Sequence, residues 1–191
     1  MNEVEIGSFF PIPVAKIVLS DDDQNKLESY YKPHIPEVRT DYGEKFANQY
    51  GDFKQETKEY KIHELLDPAI EECTNKMIEL MSLNFHLTVG DYWLQDYGEV
   101  GMSHSRHSHP SSILSAVYFI RSSKNSQPLT IYDPVDIRVH LSNGYNNCID
   151  LEPHRGVLYM FPSFLHHEVA RSLPNTIRTT LAFNIIPAYN I

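Results

Sequence analysis

Gly156-Val157-Leu158-Tyr159-Met160-Phe161-Pro162-Ser163-Phe164-Leu165-His166-His167-Glu168-Val169 reads as a buried strand, a proline turn and a second strand. Its apolar run is too short for a helix and is bounded by Gly and Pro, which punctuate chain structure. The same grammar extends in both directions. From Asn84 onward, short candidate strands lie at 85–97, 113–120, 128–132, 135–141, 148–151, 156–161, 166–172 and 177–187. Gly98, Gly101, Pro110, Pro128, Pro134, Gly144, Pro153 and Pro174 fall between or beside them. Some eight strands in about a hundred residues point to a jelly roll or sandwich rather than alternating βα units.

The first third differs. Phe9-Phe10-Pro11-Ile12-Pro13-Val14-Ala15-Lys16-Ile17-Val18-Leu19 looks like an edge strand interrupted by prolines. Ser20 followed by Asp21, Asp22 and Asp23 supplies an N-cap and an acidic first turn for a short helix ending near Tyr31. Residues 32–58 are polar, Tyr-rich and irregular, a surface loop or a lid. Ile62, Leu65, Leu66, Ala69, Ile70, Cys73, Met77, Leu80 and Met81 recur at three- and four-residue steps, which predicts an amphipathic helix over 61–82. Pro68 inside it predicts a kink or a second start near Asp67. The fold class is therefore mainly β with flanking helices. One domain spans 1–191, with 1–83 as an N-terminal strand and supporting helices and 84–191 as the β core.

Composition narrows the function. The chain has 191 residues, 41% apolar and 21% charged, ordinary for a globular protein. Its net charge of −9, from 16 basic against 25 acidic residues, argues against a broad nucleic-acid footprint. The longest apolar run, 113–120, is strand-sized, so no membrane span is expected. With two cysteines, Cys73 and Cys148, and no basic leader, the expectation is a reducing, cytoplasmic setting. An edge strand near the N-terminus leaves a homodimer open.

Chemistry concentrates in the histidines. Of ten, His104, His107 and His109 fall within six positions. Residues i and i+2 on a strand share a side, so His107 and His109 can reach one metal from one strand end. His104 lies three residues before His107 and would face the other way. His34, His63, His86, His140 and His154 read as ordinary surface histidines. His166 and His167 are adjacent, so only one points inward, and periodicity leaves the choice open. Arg178 lies on the last strand, where Arg178, Thr180, Ala182 and Asn184 share one face. A buried arginine there needs an anionic partner, and its planar fork suits a carboxylate. That partner is either an acidic side chain of the protein or a dicarboxylate cosubstrate.

His107-Ser108-His109-Pro110, Leu114-Ser115-Ala116-Val117-Tyr118-Phe119, residues 161–169 and the Arg strand ending Phe183-Asn184 together resemble the Fe(II)- and 2-oxoglutarate-dependent oxygenases. The likeness is to the small branch found in phages and bacteria and covers roughly residues 92–187, with a weaker echo at 9–13. It implies a double-stranded β-helix, a distorted cupin-like jelly roll. It implies a hydroxylase that uses Fe(II), 2-oxoglutarate and O2 on a protein or peptide side chain, a small molecule or a nucleobase, the first being favoured. It would place the enzyme in the host cytoplasm if phage-encoded. By the resemblance, His107 and His167 are metal ligands, Arg178 binds the far carboxylate of 2-oxoglutarate, and Ser115, Tyr97 and Asn184 line the cosubstrate pocket. The common motif is His-x-Asp or His-x-Glu, whereas here the second position is His109. His109 is taken as the third ligand, with Asp133 or a water as the alternative. A second departure is Phe119, where a tyrosine hydroxyl could have reached the cosubstrate. Trp93, Phe161 and Phe183 read as core aromatics that could also wall the pocket. Two other readings remain: a cupin-like three-histidine protein or dioxygenase without 2-oxoglutarate, and a non-enzymatic jelly-roll interaction protein.

Overall fold

The computed structural model describes residues 12–34, 48–52, 62–84, 86–135 and 147–188. Among the described residues, ten strands form two facing sheets, and two α-helices cover one of them. The strands are β1 (Ala15–Val18), β2 (Asn48–Asp52), β3 (Leu87–Asp96), β4 (His104–His107) and β5 (Leu114–Ser122), then β6 (Leu129–Tyr132), β7 (Cys148–Leu151), β8 (Val157–Pro162), β9 (His167–Val169) and β10 (Arg178–Pro187). The large sheet has the order β1-β8-β5-β10-β3-β2 and the small one β4-β9-β6-β7. Every pairing is antiparallel, and nearly every neighbour in the large sheet is distant in sequence. This is the double-stranded β-helix that the resemblance implies.

Alternation along the strands builds two cores. Leu181, Phe183 and Ile185 of β10 join Leu114, Ala116, Tyr118 and Ile120 of β5 and Leu158 and Met160 of β8 on the helix side. There they meet Leu27 and Tyr31 of helix α1 (Asp21–Tyr31) and Leu66, Ile70, Cys73 and Met77 of helix α2 (Ile62–Leu80). The intervening residues Val117, Phe119, Val157, Tyr159, Phe161 and Ala182 face the small sheet, packing on Leu129, Ile131 and Val169. The period of two places a central strand such as β5 in both cores at once, which explains its unbroken burial from Leu114 to Ile120.

Helix α1 starts as the sequence predicts. The Ser20 hydroxyl accepts from the Asp23 N–H at 3.2 Å, satisfying one of the helix's free amides. Arg155 fixes the helix to the β7–β8 turn, donating to Glu28, Gln24 and Asn25 at 3.0, 3.2 and 2.7 Å. Gly156 in that turn has φ 82°, and a Cβ there would collide with the Gln24 side chain.

Four expectations need correction. Helix α2 runs through Pro68 without a second start, because a single lost hydrogen bond is outweighed by the buried face on either side. Part of the expected 32–58 loop is strand β2, paired with β3; its polar residues carry no apolar alternation to announce it. Strand β4 also lies outside the expected strands, since His-Ser-Arg-His has no apolar side chain. The candidate strand 166–172 shortens to β9. The candidate strand at 135–141 falls almost wholly outside the described residues, as do all of 1–11 and most of the 32–58 segment. No helix among the described residues is long and apolar enough to cross a membrane.

Candidate active site

His107 closes β4 and His167 opens β9, and the two are directly paired across the small sheet. The rings stand 4.3 Å apart between centroids. His109 lies just past β4, pinned by its backbone N–H to the Ser163 carbonyl at 2.9 Å. Its ring is 5.0 Å from His107 and stacked on His167 at 5.3 Å. One ligand nitrogen from each of the three imidazoles falls within 4.8 Å of the other two. Among the described residues, no carboxylate joins this group. Asp133 instead accepts from the Val135 N–H at 2.8 Å in a turn. His166, the neighbour left open by periodicity, is exposed, while His167 is 5% exposed.

The orientation of two rings is set by the backbone. Nδ1 of His107 lies 2.7 Å from the Ser105 carbonyl, and Nδ1 of His167 lies 3.0 Å from the Leu165 carbonyl. A carbonyl only accepts, so each Nδ1 carries a proton, which leaves Nε2 as the nitrogen turned toward a metal. Burial, helped by the neighbouring His107, lowers His109 to about 4. Burial lowers His167 to about 3, against the opposing pull of the Leu165 carbonyl. Both rings are therefore neutral at physiological pH. Phe161 packs edge-on to His167 at 5.0 Å, and Trp93 lies 5.9 Å from His109.

These imidazoles open into a narrow cleft between the sheets. Arg178, Tyr97, Ser115 and Asn184 line the same cleft. Arg178 is 3% exposed, with its guanidinium 4.4 Å over the Tyr97 ring and 5.0 Å from the Phe119 ring. No acidic side chain of the described residues pairs with it. Nε and Nη1 of Arg178, Oη of Tyr97 and Oγ1 of Thr180 are buried without a hydrogen-bond partner among the described residues. Burial depresses the Arg178 pKa, and the Tyr97 phenol opposes that effect. Such a set of unpaired buried donors is costly unless an anion satisfies it. Ser115 donates to Asn184 Oδ1 at 3.0 Å and shares a 2.8 Å bond with Ser163. Phe119 faces Arg178 while Tyr118 sits in the helix-side core, as strand parity requires.

Two cleft residues were not marked by sequence reasoning. His104 stacks on His107 at 4.2 Å instead of facing away, and its Nδ1 lies 2.8 Å from Gln95 Nε2. The cause is a register shift: His104 pairs with Val169 and His107 with His167, so three steps on β4 match two on β9. An extra residue of this kind reverses parity, and the polar β4 sequence gave no sign of it. Gln95 follows from alternation on β3, where Trp93 and Gln95 share the inner face.

Residues 91–184 match the family model described as "Putative 2OG-Fe(II) oxygenase". The chain belongs to the Fe(II)- and 2-oxoglutarate-dependent oxygenases. The oxygenase is similar in fold to a prolyl-4-hydroxylase from Pseudomonas putida, with a TM-score of 0.58, 16% identity and coverage of 91% of this chain and 92% of that one. A viral collagen prolyl hydroxylase from Paramecium Bursaria Chlorella virus-1, solved as a 2OG complex, gives 0.59, 13%, 93% and 96%. A Trichoplax adhaerens prolyl hydroxylase in complex with a hypoxia inducible factor peptide fragment gives 0.57, 13%, 90% and 82%. No curated protein matches the oxygenase. The enzyme's cofactors are Fe(II) and 2-oxoglutarate, and a trio of converging imidazoles beside an unpaired buried guanidinium fits both.

Proposed function

We propose that this oxygenase is a hydroxylase of a peptide or protein side chain, with His107, His109 and His167 holding Fe(II). In this reading Arg178 binds the far carboxylate of 2-oxoglutarate, and Tyr97, Ser115 and Asn184 line the cosubstrate pocket. The observation that carries it is the buried, unpaired Arg178 in the same cleft as three converging imidazoles. A three-histidine protein without 2-oxoglutarate leaves that guanidinium with nothing to bind. The peptide substrate is supported by likeness in fold to prolyl hydroxylases, one of them holding a peptide.

Fe(II) with 2-oxoglutarate supplies the oxidising power: one atom of O2 enters a C–H bond, and the other leaves in succinate as carbon dioxide is released. The protein's own part is placement. Its backbone carbonyls at Ser105 and Leu165 hold the Nδ1 side of His107 and His167 and leave Nε2 as the nitrogen aimed at the metal. Its third imidazole, in place of a carboxylate, leaves the site one unit more positive, which favours a dianionic cosubstrate. Phe161 and Trp93 line the cleft and Phe119 lies beside the guanidinium, apolar surroundings that strengthen the Arg178–carboxylate attraction.

The test is mass spectrometry of peptide mixtures incubated with enzyme, Fe(II) and 2-oxoglutarate. The expected result is a gain of one oxygen on a side chain, with one succinate formed per oxygen added. Succinate formation that no peptide or protein stimulates, but a small molecule does, would overturn the peptide assignment.

A further inference from the structure

The Gln95–His104 hydrogen bond links the two sheets inside the cleft, and no part of the site described so far uses it. Gln95 belongs to β3 of the large sheet and His104 to β4 of the small one. In the β3–β10 register Gln95 is opposite Thr180, one inward-facing position from the Arg178–Tyr97 level. In the β4–β9 register His104 is opposite Val169, one inward-facing position from the His107–His167 pair. The bond therefore crosses the cleft between the anion-binding end and the three imidazoles. A dicarboxylate spanning those ends must pass it.

The bond also fixes what His104 offers. Nε2 of Gln95 can only donate, so Nδ1 of His104 accepts and the ring proton sits on Nε2. His104 lines the cleft, and its ring lies flat on His107 at 4.2 Å and 23°. It stands outside the trio whose ligand atoms converge. A neutral imidazole with its donor nitrogen free, beside a metal ligand, suits an anionic oxygen better than a metal.

We propose that His104, oriented by Gln95, is a cosubstrate-binding residue that donates Nε2–H to the metal-side carboxylate of 2-oxoglutarate. Together with Arg178 it would grip both ends of the dicarboxylate. The inference rests on the assignment of the imidazole trio and Arg178 made under the proposed function.

The test is anaerobic calorimetry of Ni(II)- and Fe(II)-loaded protein with 2-oxoglutarate, alongside the visible absorption of the Fe(II) form. His104→Phe keeps the stack on His107 and removes the donor; His104→Gln restores an N–H without the ring. The expected result is one metal per chain in all forms. His104→Phe should bind 2-oxoglutarate about ten- to a hundredfold more weakly, with a displaced visible band, and His104→Gln should recover much of the loss. If the Phe variant does not fold, His104→Ala replaces it with the same expectation. Arg178→Ala is the control. If it weakens 2-oxoglutarate while the His104 variants stay within about twofold of wild type, the site assignment stands and the role of His104 is refuted. Loss of metal in the His104 variants would refute it too, by making His104 part of the metal site. Wild-type protein that binds metal but no 2-oxoglutarate would overturn both.

Discussion

Replacing Arg178 with methionine should make the ligand-free protein more stable while nearly abolishing its response to 2-oxoglutarate. The guanidinium is 3% exposed, and Nε and Nη1 have no partner among the described residues. Each unsatisfied buried donor costs about 1–3 kcal/mol. Against that stand its contacts over the Tyr97 and Phe119 rings, worth about 0.5–2 kcal/mol. Methionine fills a similar volume and adapts to irregular gaps. The net gain is of the order of 1 kcal/mol, which raises Tm by about 2–4 °C in a protein of this size. Ligand linkage has the opposite sign. Wild type at a 2-oxoglutarate concentration a hundred times Kd gains about 2.7 kcal/mol, roughly 5–10 °C. If the variant loses about a hundredfold in affinity, the same concentration equals its Kd and contributes only about 0.4 kcal/mol, close to 1 °C. Thermal melts of Ni(II)-loaded wild type and variant, with and without 2-oxoglutarate, read both terms. A variant that melts well below wild type and keeps the full ligand shift would refute the reasoning, since Arg178 would then be a satisfied structural residue.

His167→Ala should lose stoichiometric Fe(II) binding, whereas His166→Ala, altering an exposed ring, should keep it; metal analysis after desalting distinguishes them. The metal-free protein should lose stability as pH falls from about 6.5 toward 4. Over that range the unfolded chain takes up protons on His104, His109 and His167, while the folded one, with these groups lowered to about 4, 4 and 3, does not. Urea midpoints between pH 7.5 and 4.5 should fall on the acid side, and a flat profile would contradict the burial of these rings. Ser115→Ala leaves the fully buried Ser163 hydroxyl without the 2.8 Å bond it shares with Ser115. It should cost about 1–2 kcal/mol in chemical denaturation, with metal binding retained.

Much of the architecture is legible in the residues because burial on alternate positions leaves a strong trace. The strands at β3, β5, β8 and β10, the Ser20 cap and the amphipathic α2 all follow from periodicity and end signals. What escapes is made of residues with no apolar signature. Strand β2, Asn-Gln-Tyr-Gly-Asp, is held by pairing with β3 rather than by a pattern of its own. Strand β4 is polar and bulged, so strict alternation places His104 on the wrong side. At the site, parity puts Arg178 and Asn184 on the cleft face of β10, and the resemblance selects His167 over His166. The structure brings His107, His109 and His167 together at one end of that cleft. The Gln95–His104 link between sheets has no sequence signal, because it depends on how the two sheets face each other.

The most direct measurement is an anaerobic titration of Fe(II)-loaded protein with 2-oxoglutarate, followed by the weak visible band of the iron–cosubstrate chelate. A band that saturates at one cosubstrate per chain in wild type, and needs far higher concentrations in Arg178→Ala, is the result this account predicts. Iron bound without any band would contradict it, leaving a three-histidine metal site for which Arg178 holds nothing.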